Sequence, residues 1–441
     1  MTQNLRTRLA RLFEPFTAQY ASLRHLRDRD LALLSVARLL DQMSISFIVP
    51  LLPIYAENLG ASAFLIGLIF SAETLSKAVF STPFGHLSDR FDRRLLVSVG
   101  LVISALSVVA FGFVEVPLLF IGFRALDGAA SAMREPAANA YIGDAFDESE
   151  RGGAMGAYRT VGMLGVAIGP AVGGLLSASY GYALPFVVLG AGTLVGGLAV
   201  FVSLNPSSDQ SAESSGDDSA DAETDWSLLP DLSLGTIREA TTLPMAALGV
   251  SVFVAQVGSG AFSPLFAVLL ETTLGAGPAY TGTMYSVFGL SMFLFMPVGG
   301  TLADTAGRKR SLLIGKVLWA VVVFGLALAT TRLVPPVLLF VAGIASAFAG
   351  PALGAMQYEL APEGREGTVL GAYSTLASAG MAVGPLLGGA LTDVFGVTTV
   401  FLLMGGLWLF DTGTIAFGVR ETVSKGSESS EPSDSTAGSS E

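Results

Sequence analysis

Nine charged side chains stand inside stretches that are otherwise apolar: Arg38, Asp41, Glu73, Lys77, Arg124, Asp127, Arg134, Glu135 and Arg159. Their spacings are helical. Arg38 and Asp41 are i,i+3, Glu73 and Lys77 are i,i+4, and Arg124, Asp127, Ser131, Arg134 and Asn139 form a polar stripe on one helix. Each charge turned toward lipid would cost about 2.5–3.5 kcal/mol on the most lenient insertion scale, so nine would exceed roughly 20 kcal/mol. They must therefore face an interior, and mostly each other. The chemistry open to such a set is proton exchange: desolvation and a neighbouring cation pull a buried carboxylate's proton affinity in opposite directions, so an arginine that moves switches its protonation. Asp41, Glu73 and Asp127 are the candidate carriers. The alternative is static ion pairing that fixes helix register, which suits Glu73 with Lys77 equally well.

Only long helices can hold these charges in an apolar medium. The chain has 441 residues, 51% hydrophobic and only 14% charged, too apolar for an ordinary soluble protein. Apolar runs of spanning length lie near 30–54, 63–83, 95–114, 117–142, 153–178 and 183–204, and again near 243–270, 280–300, 311–330, 335–358, 367–391 and 397–419. Strands would have to close into a barrel, and these runs lack the alternation a barrel requires. Basic residues fix the orientation. Arg6, Arg8, Arg11, Arg24, Arg27 and Arg29 precede the first run, and Arg90, Arg93, Arg94, Arg308, Lys309 and Arg310 fall in even-to-odd loops, against Arg332 on the other side. Both termini are expected in the cytoplasm, with the chain multi-pass in the cell (inner or plasma) membrane and no cleaved signal peptide. In the 1–29 leader, Leu5, Leu9, Leu12, Phe13 and Phe16 share one helical face, as in an interfacial helix; a disordered leader is the alternative.

The chain is also duplicated. Gly165-x-x-x-Gly169-Pro170-x-x-Gly173-Gly174 recurs as Gly380-x-x-x-Gly384-Pro385-x-x-Gly388-Gly389, and 380 minus 165 is 215. Gly85-x-Leu87-x-Asp89-Arg90, followed by Arg93 and Arg94, recurs at the same offset as Gly300-x-Leu302-x-Asp304, followed by Gly307, Arg308 and Lys309. The expected fold is an all-α membrane protein with 12 transmembrane helices in two pseudo-symmetric six-helix bundles, 30–204 and 241–419, joined by an acidic cytoplasmic linker at 205–240 and followed by a disordered acidic tail at 420–441. Those acidic segments supply much of the net charge of −12.

The two Gly-x-Leu-x-Asp patterns, placed between the second and third spans of each half, resemble the cytoplasmic loop signature of the major facilitator superfamily. That resemblance implies two halves rocking about a midplane cavity, and a cytoplasmic gate in which Asp89 contacts the eleventh helix when that side is shut. On it the gate comprises Gly85, Asp89, Arg90, Arg93, Asp144, Gly300, Asp304, Arg308 and Glu359; the 215 offset pairs Arg93 with Asp144 and Arg308 with Glu359. Asp92 and Thr305 depart from the usual glycine and arginine of the loop. The fifth-span Gly-Pro pattern is similar to that of the family's proton-driven exporters, although its second copy reads equally as helix packing. Arg124-x-x-Asp127-Gly128 resembles the fourth-span motif, whose arginine influences the proton-carrying carboxylate, with Asp127 at the place usually held by Gln. Related exporters turn a first-span carboxylate into the cavity, which makes Asp41 the first choice of carrier and Asp127 and Glu73 the next. Arg159 is expected to answer the surplus acid, and Arg134 and Glu135 to lie nearer the cytoplasm as gate or packing charges.

At the positions matching the nine charges the second half carries Phe253, Gln256, Phe288, Met292, Leu339, Ala342, Ala349, Gly350 and Ser374, so charge lies on one side of the duplication. Gln256, Phe262, Phe266, Tyr285 and Met296 would suit an amphipathic molecule, or ordinary packing. Asp411 is isolated and has no assigned role. The expected function is proton-coupled export of a small amphipathic compound by a monomer embedded in the bilayer. Proton- or sodium-coupled nutrient uptake is the alternative, and a non-transporting receptor or scaffold is the alternative of another class. No Gly-Lys-Ser loop is present, and His25 and His86 are far apart, so no enzyme activity, cofactor, metal or nucleic-acid partner is expected.

Overall fold

The computed structural model describes residues 21–88, 91–205, 242–362 and 364–421. The leader face at Leu5 to Phe16, Asp89, Arg90 and almost all of the linker and tail lie outside the described residues. Twelve long helices follow a 3-10 segment at Leu23–Arg27: α1 Arg29–Asn58, α2 Ala63–Ser88, α3 Arg93–Phe111, α4 Leu119–Ala145, α5 Glu148–Tyr180, α6 Ala183–Ser203, α7 Leu243–Leu274, α8 Pro278–Ala306, α9 Arg308–Ala327, α10 Val334–Glu359, α11 Glu366–Phe395 and α12 Val397–Gly418. Eleven are long and apolar enough to cross a membrane. The twelfth, α4, falls short because Arg124, Asp127, Arg134 and Glu135 interrupt its apolar run, and it is embedded by packing against α2 and α3. Several helices outrun their apolar stretch at one end, notably α2, α5 and α8, because a helix satisfies its own backbone and can continue into water.

The duplication extends to backbone conformation. α5 and α11 both stop at a glycine of positive φ, Gly181 at 82° and Gly396 at 79°, where a side chain would be strained.

The two ends of the molecule are packed differently. The end carrying the α1–α2, α5–α6, α7–α8 and α11–α12 connections is termed the far end; the other, near residues 29 and 418, is the terminal end. At the far end one continuous apolar core joins Phe47, Ile66 and Phe70 of the first half to Phe262, Phe266 and Phe401 of the second. At the terminal end the core divides into two clusters, one within the first half around Leu31, Met133 and Tyr141, the other within the second around Leu248, Met356 and Ile415. The halves are thus joined at the far end and parted at the terminal end.

Glycine makes the far-end closure possible. A Cβ on Gly174 would lie 2.5 Å from the Pro278 carbonyl oxygen, and Cβ atoms on Gly282, Gly67 and Gly389 would overlap the backbones of Pro170, Pro385 and Ala63. The first three glycines of each Gly-Pro motif face the first helix of their own half: a Cβ at Gly165 would come within 2.7 Å of Leu39 O, and one at Gly380 within 2.6 Å of Phe253 O. The last glycine of each motif faces the other half. Both copies of the motif are therefore packing surfaces, and both make the seam. By contrast, Gly85, Gly300, Gly367 and Gly371 at the terminal end have open space where a Cβ would go.

Polar ties follow the same distribution. Ala171 N donates to Ser286 Oγ at 2.9 Å, and Ser71 Oγ donates to Ala382 O at 2.5 Å. At the rim, Asp393 of α11 accepts from the first two amides of α2, Ala63 N and Phe64 N, both at 2.9 Å. A carboxylate of one half thus caps a helix of the other. Its counterpart by the 215 offset is Ala178, and α8 begins at Pro278, which has no amide to cap.

Asp393→Ala is expected to weaken far-end closure by about 1 kcal/mol, raising the far-end-open population roughly fivefold. Spin labels on Tyr180→Cys and Phe395→Cys, in a chain with no cysteine of its own, would read this as growth of the long-distance component; an unchanged distribution would show that the cap does not bias closure.

Candidate functional site

The charges of α1, α2 and α4 converge into two linked clusters. In the first, Arg134 Nε donates to Asp41 Oδ2 at 3.1 Å, and Arg38 Nη1 lies 3.6 Å from the same oxygen. Arg38 Nη1 also lies 3.7 Å from Glu135 Oε1, while Lys77 Nζ donates to Glu135 Oε2 at 2.7 Å. In the second, Arg124 pairs with Glu73 of α2 and approaches Asp127 Oδ2 at 3.4 Å, and Ser104 Oγ of α3 donates to Asp127 Oδ1 at 2.5 Å. Asp41, Arg124, Asp127 and Arg134 are buried, whereas Glu73, Lys77 and Glu135 retain water contact. Gly128 brings the helices close enough, since a Cβ there would overlap the Glu73 backbone. Four cations thus meet four carboxylates, and the set is balanced.

Several expectations need correction. Glu73 and Lys77 do not pair: although i,i+4 on α2, each reaches a different level of α4, Glu73 to Arg124 and Lys77 to Glu135. Arg134 and Glu135, expected as gate or packing charges nearer the cytoplasm, join the first cluster: Arg134 is the nearest cation to Asp41 and Glu135 bridges Arg38 to Lys77. Arg159 joins none of these pairs. It is exposed, and 21 residues separate it from the last residue of α5, about 31 Å at 1.5 Å per residue, which puts it near the edge of a hydrocarbon core about 30 Å thick. Gln256 is half-buried and packs where α7 meets Gly380 of α11.

The loop residues also fall into place. Arg93 pairs with Asp144 and donates to Ala140 O at 2.9 Å; Arg308 lies 2.5 Å from Glu359 and 3.7 Å from Asp304. Both pairings stay within their own half. Asp92 caps α3 by accepting from Arg94 N, while its counterpart Gly307 has φ 104° and α9 is capped instead by Glu421.

The isolation of Asp411 does not survive. Lys316 of α9 pairs with it inside the second half, both fully buried, with Lys316 Nζ 5.8 Å from the centre of the Trp408 ring, which stacks on Trp319. Charge is therefore not confined to the first half. Two lone opposite charges in separate apolar runs of one half were the available signal; nothing in the sequence marked Ser104.

Two hollows border the first cluster. A cavity of about 300 Å³ is lined by Arg38, Gln42, Glu135, Asn139, Tyr158 and Arg159. Beside it a void of about 10 Å³ touches Asp41, Arg134, Arg38 and Tyr158. A larger concavity of about 630 Å³ at the far-end rim, between Glu57 and Asp393, touches none of the network. The arrangement can exchange protons at its carboxylates and hold a small molecule against the first-half wall.

The family model described as Major Facilitator Superfamily matches residues 34–244 and 248–438. An uncharacterised MFS-type transporter of Methanocaldococcus jannaschii is 26% identical over 81% of this chain and 90% of its own length. Multidrug resistance protein MdtG of a Rahnella species is 28% identical over 83% and 88%. Among solved structures, a nucleoside transporter NupG mutant superposes with TM-score 0.74 at 14% identity over 88% of this chain and 98% of that one. A bacterial homologue of the human lysosomal transporter Spinster, inward-facing and occupied, gives 0.70 at 15% identity over 88% and 96%.

Lys316→Met alone is expected to destabilise the protein by about 3–5 kcal/mol by stranding the Asp411 carboxylate, and Lys316→Met with Asp411→Leu to recover most of the loss. Thermal unfolding in detergent of both single variants and the double checks this; a double loss equal to the sum of the Lys316→Met and Asp411→Leu losses would mean the pair is not coupled.

Proposed function

The chain belongs to the Major Facilitator Superfamily, and on that premise we propose that it is a secondary active transporter that exports a small amphipathic compound in exchange for protons by alternating access. The observation that carries this reading is Asp41: a fully buried carboxylate, shared by two arginines, one of which, Arg38, also lines a hollow able to hold a passenger. A proton on Asp41 removes the charge that holds Arg134 and Arg38 in place. Because the network is balanced, each added positive charge must be offset, and proton and passenger then compete for one set of partners. The similarity to proteins named for multidrug resistance supports export.

Orientation follows from charge. Arg24, Arg27, Arg29, Arg93, Arg94, Arg308, Lys309 and Arg310 gather at the terminal end, while Glu57, Glu115, Glu271 and Asp393 mark the far end. The terminal end is thus cytoplasmic, and the halves are parted on that side to admit a passenger from within. One chain supplies both walls, so a monomer suffices. The Arg93–Asp144 and Arg308–Glu359 clusters serve as rigid corners of the gate that forms when the cytoplasmic side shuts.

In proteoliposomes with an imposed pH gradient, fluorescent amphipathic dyes are expected to move against the proton flow, and Asp41→Asn, Glu73→Gln and Asp127→Asn together to abolish gradient-driven movement. Dye flux that ignored the gradient and survived the triple change would sink the proposal; accumulation in the direction of proton flow would mark uptake instead.

A further inference from the structure

Asp41 Oδ2 takes every contact from Arg134 and Arg38, and Oδ1 has no hydrogen-bond partner among the described residues. Beside the carboxylate lies the void of about 10 Å³, on the order of what one water molecule needs. The open cavity and this void have two lining residues in common, Arg38 and Tyr158. They form the wall between them. The Arg38 guanidinium lies 5.8 Å from the centre of the Tyr158 ring, and the Arg38 stem crosses Gly162, where a Cβ would come within 3.2 Å of its Cγ. Tyr158 is buried at 7% exposure, so its ring closes the passage rather than lining it loosely.

The repeat isolates what is special here. Tyr373 occupies the matching place in the second half, but its hydroxyl donates to Met245 O at 3.2 Å, an ordinary tie between α11 and α7. No carboxylate lies opposite it, since the counterpart of Asp41 is Gln256. The same residue in the same register is a structural strut in one half and faces the buried acid in the other.

We propose that Arg38 and Tyr158 form a proton constriction, behind which a single water hydrates Asp41 Oδ1, so that protons reach the carrier from the cytoplasm-facing cavity only when the ring and guanidinium part. The inference rests on Asp41 being the proton carrier of the exchange proposed above. In the transfer, a hydronium ion in the cavity passes its proton to the held water and is left as water, while the held water gives one of its own protons to Oδ1 as an O–H bond forms there. Arg38 then loses the charge of its partner at Oδ2, keeps Glu135, and is free to turn toward a passenger in the cavity. Glu135, Lys77, Arg134, Asp127 and Arg159 are the other charged groups around the constriction; Glu135 keeps Lys77 and Asp127 keeps Arg124, whereas Arg134 loses the charge of its partner.

The test measures access to Asp41 without requiring transport. A hydrophobic carbodiimide labels protonated carboxylates, and peptide mass spectrometry of the intact, detergent-solubilised protein gives the labelling rate at Asp41, with Asp41→Asn as the blank. Tyr158→Ala is expected to raise that rate at least tenfold and to make proteoliposomes leak protons without dye movement. Tyr158→Phe is expected to match the unaltered protein, because the ring and not the hydroxyl forms the barrier; Tyr158→Ser replaces Tyr158→Ala should the latter fail to fold. Equal labelling with and without the ring, or labelling of Tyr158→Phe as fast as Tyr158→Ala, would overturn the constriction. Loss of gradient-driven flux in the unaltered protein, with the labelling pattern intact, would overturn the exchange reading and leave the constriction standing.

Discussion

Everything in this molecule is arranged around the cost of holding charge away from water. A lone ion inside a membrane protein is expensive, and partners reduce that cost only if they are held at the right level and angle. Here four cations and four carboxylates from α1, α2 and α4 meet each other. Helix packing must be close enough to bring them into register, which explains the glycine at 128 against the Glu73 backbone. The second half solves the same problem once, with Lys316 and Asp411 sealed among tryptophans. The difference is informative: the sealed pair has no hollow beside it among those described, whereas the first-half network borders two.

The scaffold and the chemistry obey different symmetries. Glycines, prolines and helix ends repeat at the 215 offset down to backbone contacts, because close approach of two helices has one solution and both halves use it. The loop pairs Arg93–Asp144 and Arg308–Glu359 repeat, but the charges of the α1, α2 and α4 network do not. Duplication thus supplies the packing frame, and divergence of one copy supplies the buried charge network of α1, α2 and α4.

Much of this was legible from residue types and spacing. The spans follow from hydropathy, the polar faces from helical period, the halves and the Arg93–Asp144 and Arg308–Glu359 pairings from the repeat, and the meeting of α1, α2 and α4 from the family resemblance. Individual partners were harder, since spacing along a helix says which side chains share a face and not how far each reaches across to a neighbour. Glu73 and Lys77 share a face yet answer different residues of α4. Ser104 was invisible because a serine in an apolar run is ordinary, and only the approach of α3 to α4 gives it a carboxylate. Nothing in the sequence marks Asp393, since only tertiary packing places the start of α2 against it.

That cap also has a mechanical meaning. Of the two seams that hold the far end shut, α2 with α11 is fastened at the rim by Asp393 and again deeper by Ser71, while α5 with α8 has the single tie from Ala171 to Ser286. The polar fastening across the far end is thus concentrated on the α2–α11 seam, whereas the α5–α8 seam rests mainly on the close backbone approach at Gly174 and Gly282.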